Sequence, residues 1–251
     1  MQSTSSASQV AILSIAGFSS LFFVSNFSLL FQFYVINYGS QSNPIPAMTT
    51  YQPLQSSVVV IGPQFLAQYP VDLKVATKLL ALGECNLGVT DVNGTLIFKV
   101  KSKLLSIRDR RYLLDAAGNI LATFQQKILT AHRRWHVFRG DSTNAQDLIF
   151  SVKKSSIIQF KTELDVFLAT NTAENVPDFK VKGSWSERSC TIYLGQSNTI
   201  IAQMHRKHTL STVVFDADNF GVTVYPNVDY AFIVALVVIL DEINEDRRGD
   251  D

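Results

Sequence analysis

Charge is missing from the opening of this chain: no aspartate, glutamate, lysine, arginine or histidine precedes Asp72. A secretory signal calls for a positive n-region and a small-residue cleavage site, so the missing lysine and arginine weigh against one. Cysteine is scarce as well. Cys85 and Cys190 stand alone, with no Cys-x-x-Cys and no histidine at metal-ligand spacing, which argues against a zinc site and favours free buried thiols. A single bridge between them stays open, although a chain of 251 residues has core enough to fold without it. The formal net charge of +1 lacks the polyelectrolyte character of a nucleic-acid binder, so any anion binding must come from a local patch. Catalytic signatures are absent too: there is no Gly-x-Ser-x-Gly elbow, no phosphate-cradling glycine loop before a helix and no His-Glu-x-x-His. His132 and His136 fall in a strand pattern that spaces them too widely to chelate simply, and His205 and His208 fall on opposite faces of a strand. The expectation is a protein without catalysis, metal or cofactor.

What the chain does have is one unbroken apolar run, Tyr230 to Leu240, close to its end. As a helix it would rise only about 16 Å, roughly half of a hydrocarbon core, so it suits a buried helix better than a membrane span. Asn227 and Asp229 are placed to cap its start behind Pro226, while Asp241, Glu242 and Asn244 are expected to return it to water after Ile243. A helix apolar on every side must be enclosed on every side. A central strand is the competing assignment, because short apolar runs are ambiguous.

Upstream, Val10 to Ile36 is apolar and long enough to span a bilayer, but serines, Asn26 and Gln32 interrupt it. Two readings stand for residues 1–47: a membrane segment, or a leader that is not native, with translation starting at Met48. Five of the seven prolines lie between Pro44 and Pro70, which predicts extended, irregular chain there. From Leu87 short alternating runs recur between turn signals. Asn93-Gly94 reads as a two-residue hairpin turn, and Asp115 to Asn119 repeats the chemistry. Further runs lie at Trp135 to Phe138, Leu148 to Val152, Ile157 to Phe160, Leu164 to Ala169, Phe179 to Val181, Thr191 to Leu194, Ile200 to Met204, Thr212 to Phe215 and Val222 to Val224. About twelve antiparallel strands and a helix that must be enclosed point to a closed barrel threaded by that helix; a sandwich with a docked helix is the alternative.

Several stretches resemble the LURP-one-related family of plants. They include Asp91-Val92-Asn93-Gly94, His132-Arg133-Arg134-Trp135-His136-Val137-Phe138-Arg139-Gly140, Lys180-Val181-Lys182-Gly183-Ser184-Trp185, and Val222 to Phe232 with its Tyr225-Pro226-Asn227 core. The resemblance covers about residues 48–247, followed by a short charged tail, 248–251. It implies a mainly β, tubby-like closed antiparallel barrel of about twelve strands around a buried C-terminal apolar helix, a fold shared with tubby proteins and phospholipid scramblases. It also implies a link to phosphoinositides through tubby-like relatives, and to defence through the family name.

The charge feature that could carry a function is Lys99 to Arg139, with ten lysines and arginines against Asp109 and Asp115. Lys99, Lys101 and Lys103 alternate with Phe98, Val100 and Ser102, so on a strand their ammonium groups share the face turned from the core. Arg108, Arg110, Arg111, Lys127, Arg133, Arg134 and Arg139 complete the candidate anion-binding set. Arginine offers a planar fork to phosphate oxygens and lysine a mobile point charge. The first expectation is a monomeric module that binds or tethers to anionic phospholipid headgroups, cytoplasmic and peripheral to a membrane, or anchored through residues 10–36. The second is a soluble, cytoplasmic or nuclear, interaction or regulatory protein with an unidentified protein partner, its basic face only solvated. Scramblase-like transport meets an obstacle, since the most apolar segment is locked inside the barrel.

Overall fold

The computed structural model describes residues 54, 56–77, 85–102, 110–127, 134–155, 162–206 and 219–249. Twelve antiparallel strands form a closed up-and-down barrel. They are β1 (Val71–Thr77), β2 (Cys85–Thr90), β3 (Leu96–Ser102), β4 (Arg110–Asp115), β5 (Ile120–Lys127), β6 (Arg134–Arg139), β7 (Leu148–Lys154), β8 (Thr162–Leu168), β9 (Phe179–Gly183), β10 (Thr191–Leu194), β11 (Ile200–His205) and β12 (Asn219–Val224). Each strand pairs with its sequence neighbours, and β1 pairs with β12 to close the ring, from Val71 opposite Val224 to Ala76 opposite Asn219. Closure leaves no strand edge exposed.

Period-two alternation sets which side chains enter. Phe98 and Val100 of β3 are fully buried while Lys99 and Lys101 stay half-exposed; Leu164 and Val166 of β8 are buried while Glu163 and Asp165 face out. The lumen holds the helix α1 (Tyr230–Gly249), in which every residue from Ala231 to Leu240 is buried. Phe232 meets Phe150 of β7 and Phe179 of β9 edge-on or tilted, with ring centroids 5.2 and 4.8 Å apart.

One mouth of the barrel is closed by the segment that precedes β1. Asp229, with no solvent exposure, caps α1 by accepting the Phe232 amide at Oδ1, 3.1 Å. Its Oδ2 accepts three consecutive amides, Val60 at 3.1 Å, Ile61 at 2.7 Å and Gly62 at 3.0 Å. A carboxylate held this way needs no cationic partner, because four N–H dipoles converge on it at the positive end of a helix. Val58 and Asn227 bracket the contact, Val58 N donating to Asn227 O at 2.8 Å and Asp229 N to Val58 O at 2.9 Å. Asn227 adopts φ 63, the left-handed conformation that asparagine tolerates better than most residues.

Three expectations need amending. The strands begin with Val71–Thr77, not at Leu87; the Val-x-Leu-x-Val alternation of that stretch was the available signal. The turn after β2 spans Val92 to Gly94 rather than Asn93-Gly94 alone: Asp91 N donates to Thr95 O at 2.9 Å, Asp91 Oδ1 accepts the Asn93 and Thr95 amides, and Gly94 takes φ 86. Of the three polar residues expected to return the helix to water, Asp241 and Asn244 are half-buried but Glu242 is buried and not in water. The helix continues to Gly249. The runs Ile157 to Phe160 and Thr212 to Phe215, and the whole of residues 1–47, lie outside the described residues.

Candidate anion-binding surface

The ten basic residues separate into groups that the alternation rule alone does not distinguish. Lys103, Arg108 and Arg133 lie outside the described residues. Arg111 is paired with Phe124 across β4 and β5, which puts it in inward phase, and its Nε forms an ion pair with the buried Glu242 of α1. Arg139 is in lumen phase by register, opposite Ala122, but lies exposed at the end of β6 and reaches the mouth-closing segment through Nη1 to Ile61 O, 3.0 Å. Arg134 is held by Glu174, Nη1 to Oε1 at 2.6 Å and Nη2 to Oε2 at 2.7 Å. Four remain on the outer wall.

Those four, Lys99, Lys101, Arg110 and Lys127, share one face. Lys101 is paired with Tyr112, two residues from Arg110; Arg110 is paired with Gln125, two residues from Lys127; Lys127 is paired with Arg134. Diagonal neighbours of this kind stand about 7 to 8 Å apart, so the cations climb the wall as a slanted row. Within β3, β4 and β5 the one carboxylate, Asp115, is turned into the β4–β5 reversal, where it accepts the Asn119 amide at 2.8 Å. Hydrogen bonds from Asn119 hold the Asp115 carboxyl below the usual range, so it is ionised and already engaged.

His136 reports the local field. It lies beside Gln125 on the same face, and burial, followed by the Lys127 and Arg134 charges, pushes it from 6.5 down to about 4. The ring is therefore neutral at physiological pH. Glu174 is the counterweight at the edge of the row: the hydrogen bond from Arg134, outweighing burial, holds its carboxyl below the ordinary glutamate value. It arrives from the loop between β8 and β9, 40 residues from Arg134, so no local pattern pointed to it. Its reach to the Lys153 cation, 4.0 Å, and to the Ser151 hydroxyl, 3.5 Å, was equally hidden in the sequence.

A concavity opens beside the closed mouth, a cleft of about 860 Å³ between the Leu66–Pro70 stretch and the β2–β3 turn. Tyr69 and Val92 line it and are 69 and 47 % exposed, while Lys74 donates from Nζ to Val92 O at 2.8 Å. The lining mixes one lysine with Asp72 and Asp91, so the cleft has no single sign of charge. A run of like charge is found on the wall and not in the cleft.

The family model LURP-one-related matches residues 71–241, from the first strand of the barrel into its helix. The chain belongs to the LURP-one-related family. Among LURP-one-related relatives of Arabidopsis thaliana, Protein LURP-one-related 15 is 50% identical over 216 residues, covering 86% of this chain and 98% of that one. Protein LURP-one-related 10 is 49% identical over 77% of this chain and 100% of its own, and Protein LURP1 is 45% identical over 76 and 93%. An X-ray structure of an Arabidopsis thaliana protein, 47% identical, matches with a TM-score of 0.59 over 74% of this chain and 98% of that chain. These LURP-one-related names describe a family and no enzyme activity.

Proposed function

We propose that the outer wall of β3–β5 is a contact surface for anionic phospholipid headgroups, which makes the barrel a peripheral membrane-binding or tethering module. The observation that carries this is the slanted row Lys99, Lys101, Arg110 and Lys127, with no outward carboxylate on the same strands. A flat row suits a surface ligand better than a small molecule, because the cations stand side by side along the wall and do not converge on one point. At about 1 kcal/mol for each basic residue near an anionic leaflet, four supply about 4 kcal/mol, which is weak and reversible attachment. Such attachment weakens as salt screens it. The enclosed position of Tyr230 to Leu240 supports attachment by the wall over insertion of the helix.

The test is cosedimentation of the Lys101→Glu/Arg110→Glu variant with phosphatidylserine vesicles at low and high salt. Wild type is expected to bind at low salt and release at high salt, and the variant to stay in the supernatant. Equal binding by the two proteins would sink the assignment. If the same substitutions instead abolish capture of a protein partner in the absence of lipid, the wall is a protein-recognition surface.

A further inference from the structure

We propose that the outer wall at β5–β7 contains a phosphate-binding site that the chain fills with its own Glu174. Arg134 presents both terminal nitrogens to the two Glu174 oxygens, at 2.6 and 2.7 Å, a fork geometry that arginine offers equally to phosphate. From β7, Ser151 Oγ lies 3.5 Å from Oε1 and Lys153 Nζ 4.0 Å from Oε2. Lys127 stands directly across the ladder from Arg134. Two cations and a hydroxyl thus gather about the Glu174 carboxylate, with Lys127 next to Arg134 on the same face. A phosphomonoester brings a charge approaching two and three acceptor oxygens, and so matches this set more fully than a carboxylate.

The segment that delivers Glu174 is suited to leaving. Glu174 holds φ 49, a left-handed conformation that a glutamate rarely adopts, maintained by its amide donating to Asn171 Oδ1 at 3.1 Å. Asn171 is itself tied to Val176 O and Asp178 Oδ2 at 2.8 and 2.9 Å, so the loop has its own frame. Val176 is 55 % exposed and adds little apolar anchoring. The attraction that seats Glu174 is electrostatic, and a stronger anion on Arg134 displaces it. The receiving groups stay in place without Glu174: Lys153 Nζ rests over the Phe167 ring, 4.4 Å from its centre, and Asp165, opposite Lys153 on β8, is drawn toward Lys180 at 3.7 Å.

This inference deepens the membrane-contact reading by naming a phosphomonoester as ligand class, yet it uses residues other than Lys101 and Arg110, so the two can fail separately. The experiment is calorimetric titration of the full chain with inorganic phosphate against chloride at matched ionic strength. Glu174→Gln is expected to bind phosphate about tenfold tighter than wild type, the factor lost when a site is self-occupied roughly nine parts in ten. Adding Arg134→Gln to that variant is expected to abolish the binding. Unchanged or weaker phosphate affinity in a Glu174→Gln protein that melts normally in chloride overturns the proposal. Should that variant fail to fold, hydrogen exchange on wild type decides: phosphate is expected to speed exchange of the Glu174 amide, and unaltered exchange at saturating phosphate refutes self-occupation. Vesicles then separate the sources. Preference of Glu174→Gln for phosphatidic acid over phosphatidylserine at equal charge supports a lipid headgroup, and phosphate binding without that preference supports a soluble phosphate ligand at the same site.

Discussion

Two carboxylates are buried at opposite ends of the helix's apolar run, and they are neutralised by different means. Asp229 at the start of α1 is satisfied by backbone alone, three amides from Val60 to Gly62 and one from Phe232. Glu242, just past the other end of that run and seven residues before the helix ends at Gly249, is met by the guanidinium of Arg111. At one end the geometry of the main chain supplies the positive charge; at the other a side chain has to supply it. The contrast separates what substitution can repair from what it cannot, since a side-chain partner can be exchanged and backbone amides cannot.

The largest effect is expected at the backbone-satisfied end. Asp229→Ala would leave three buried amides and a helix terminus unpaired, a loss on the order of 4 kcal/mol or more, comparable to the whole stability of many domains. Urea unfolding of the variant is expected to show no folded baseline or a far lower midpoint; a midpoint near wild type would mean the mouth-closing segment is dispensable. At the other end, Arg111→Ala strands a buried Glu242 and is expected to cost about 3 to 5 kcal/mol, whereas Arg111→Met with Glu242→Leu is expected to recover most of that loss. If the double variant melts no higher than the single one, the ion pair has a role that apolar packing does not replace, and the contrast between the two ends collapses.

Smaller effects sharpen the difference between lumen and wall. His136 has its pKa depressed to about 4 against 6.5 in the unfolded chain, chiefly by burial and then by Lys127 and Arg134. Because the unfolded state binds the extra proton between those values, stability is expected to be complete above pH 6.5 and to decline as pH falls toward 4. His136→Gln is expected to flatten that part of the pH dependence of the melting temperature, and an unchanged slope would assign it to other groups. Cys190, fully buried with its thiol pushed up to about 12 by burial, is expected to resist alkylation until the barrel unfolds. Rapid labelling of Cys190 in the native protein would show that the β10 wall opens. Smallest of all, Lys101→Glu is expected to move the unfolding free energy by about 0.5 kcal/mol or less, consistent with a side chain on the outer wall.

Periodicity was enough for much of this. The unbroken run Tyr230 to Leu240 called for enclosure and the alternating runs for a sheet; a barrel with a lumen meets both, and the closed ring of strands excludes the alternative of a sandwich with a docked helix. Asp229 was legible as a helix cap because a cap acts on amides within three residues. Its three amide partners were not, since they lie 167 to 169 residues away and nothing local about Val60 to Gly62 announces them. Glu242 was expected in water, because a charged run after an apolar helix usually marks its exit. The inward phase of Arg111 reversed that.

The basic interval shows the same limit from the side of function. Its ten cations were visible as composition, but composition does not give register, and register placed Arg111 and Arg139 in lumen phase while Lys99, Lys101, Arg110 and Lys127 remained outside. Hydrophobic patterning is a property of neighbouring residues, so residue order alone was enough to read the fold class, the enclosed helix and the face to which each β3 lysine turns. Charge pairing is a property of distance in space, so it took the fold to bring Arg111 to Glu242 and Arg134 to Glu174 and to leave Lys99, Lys101 and Arg110 in outward phase.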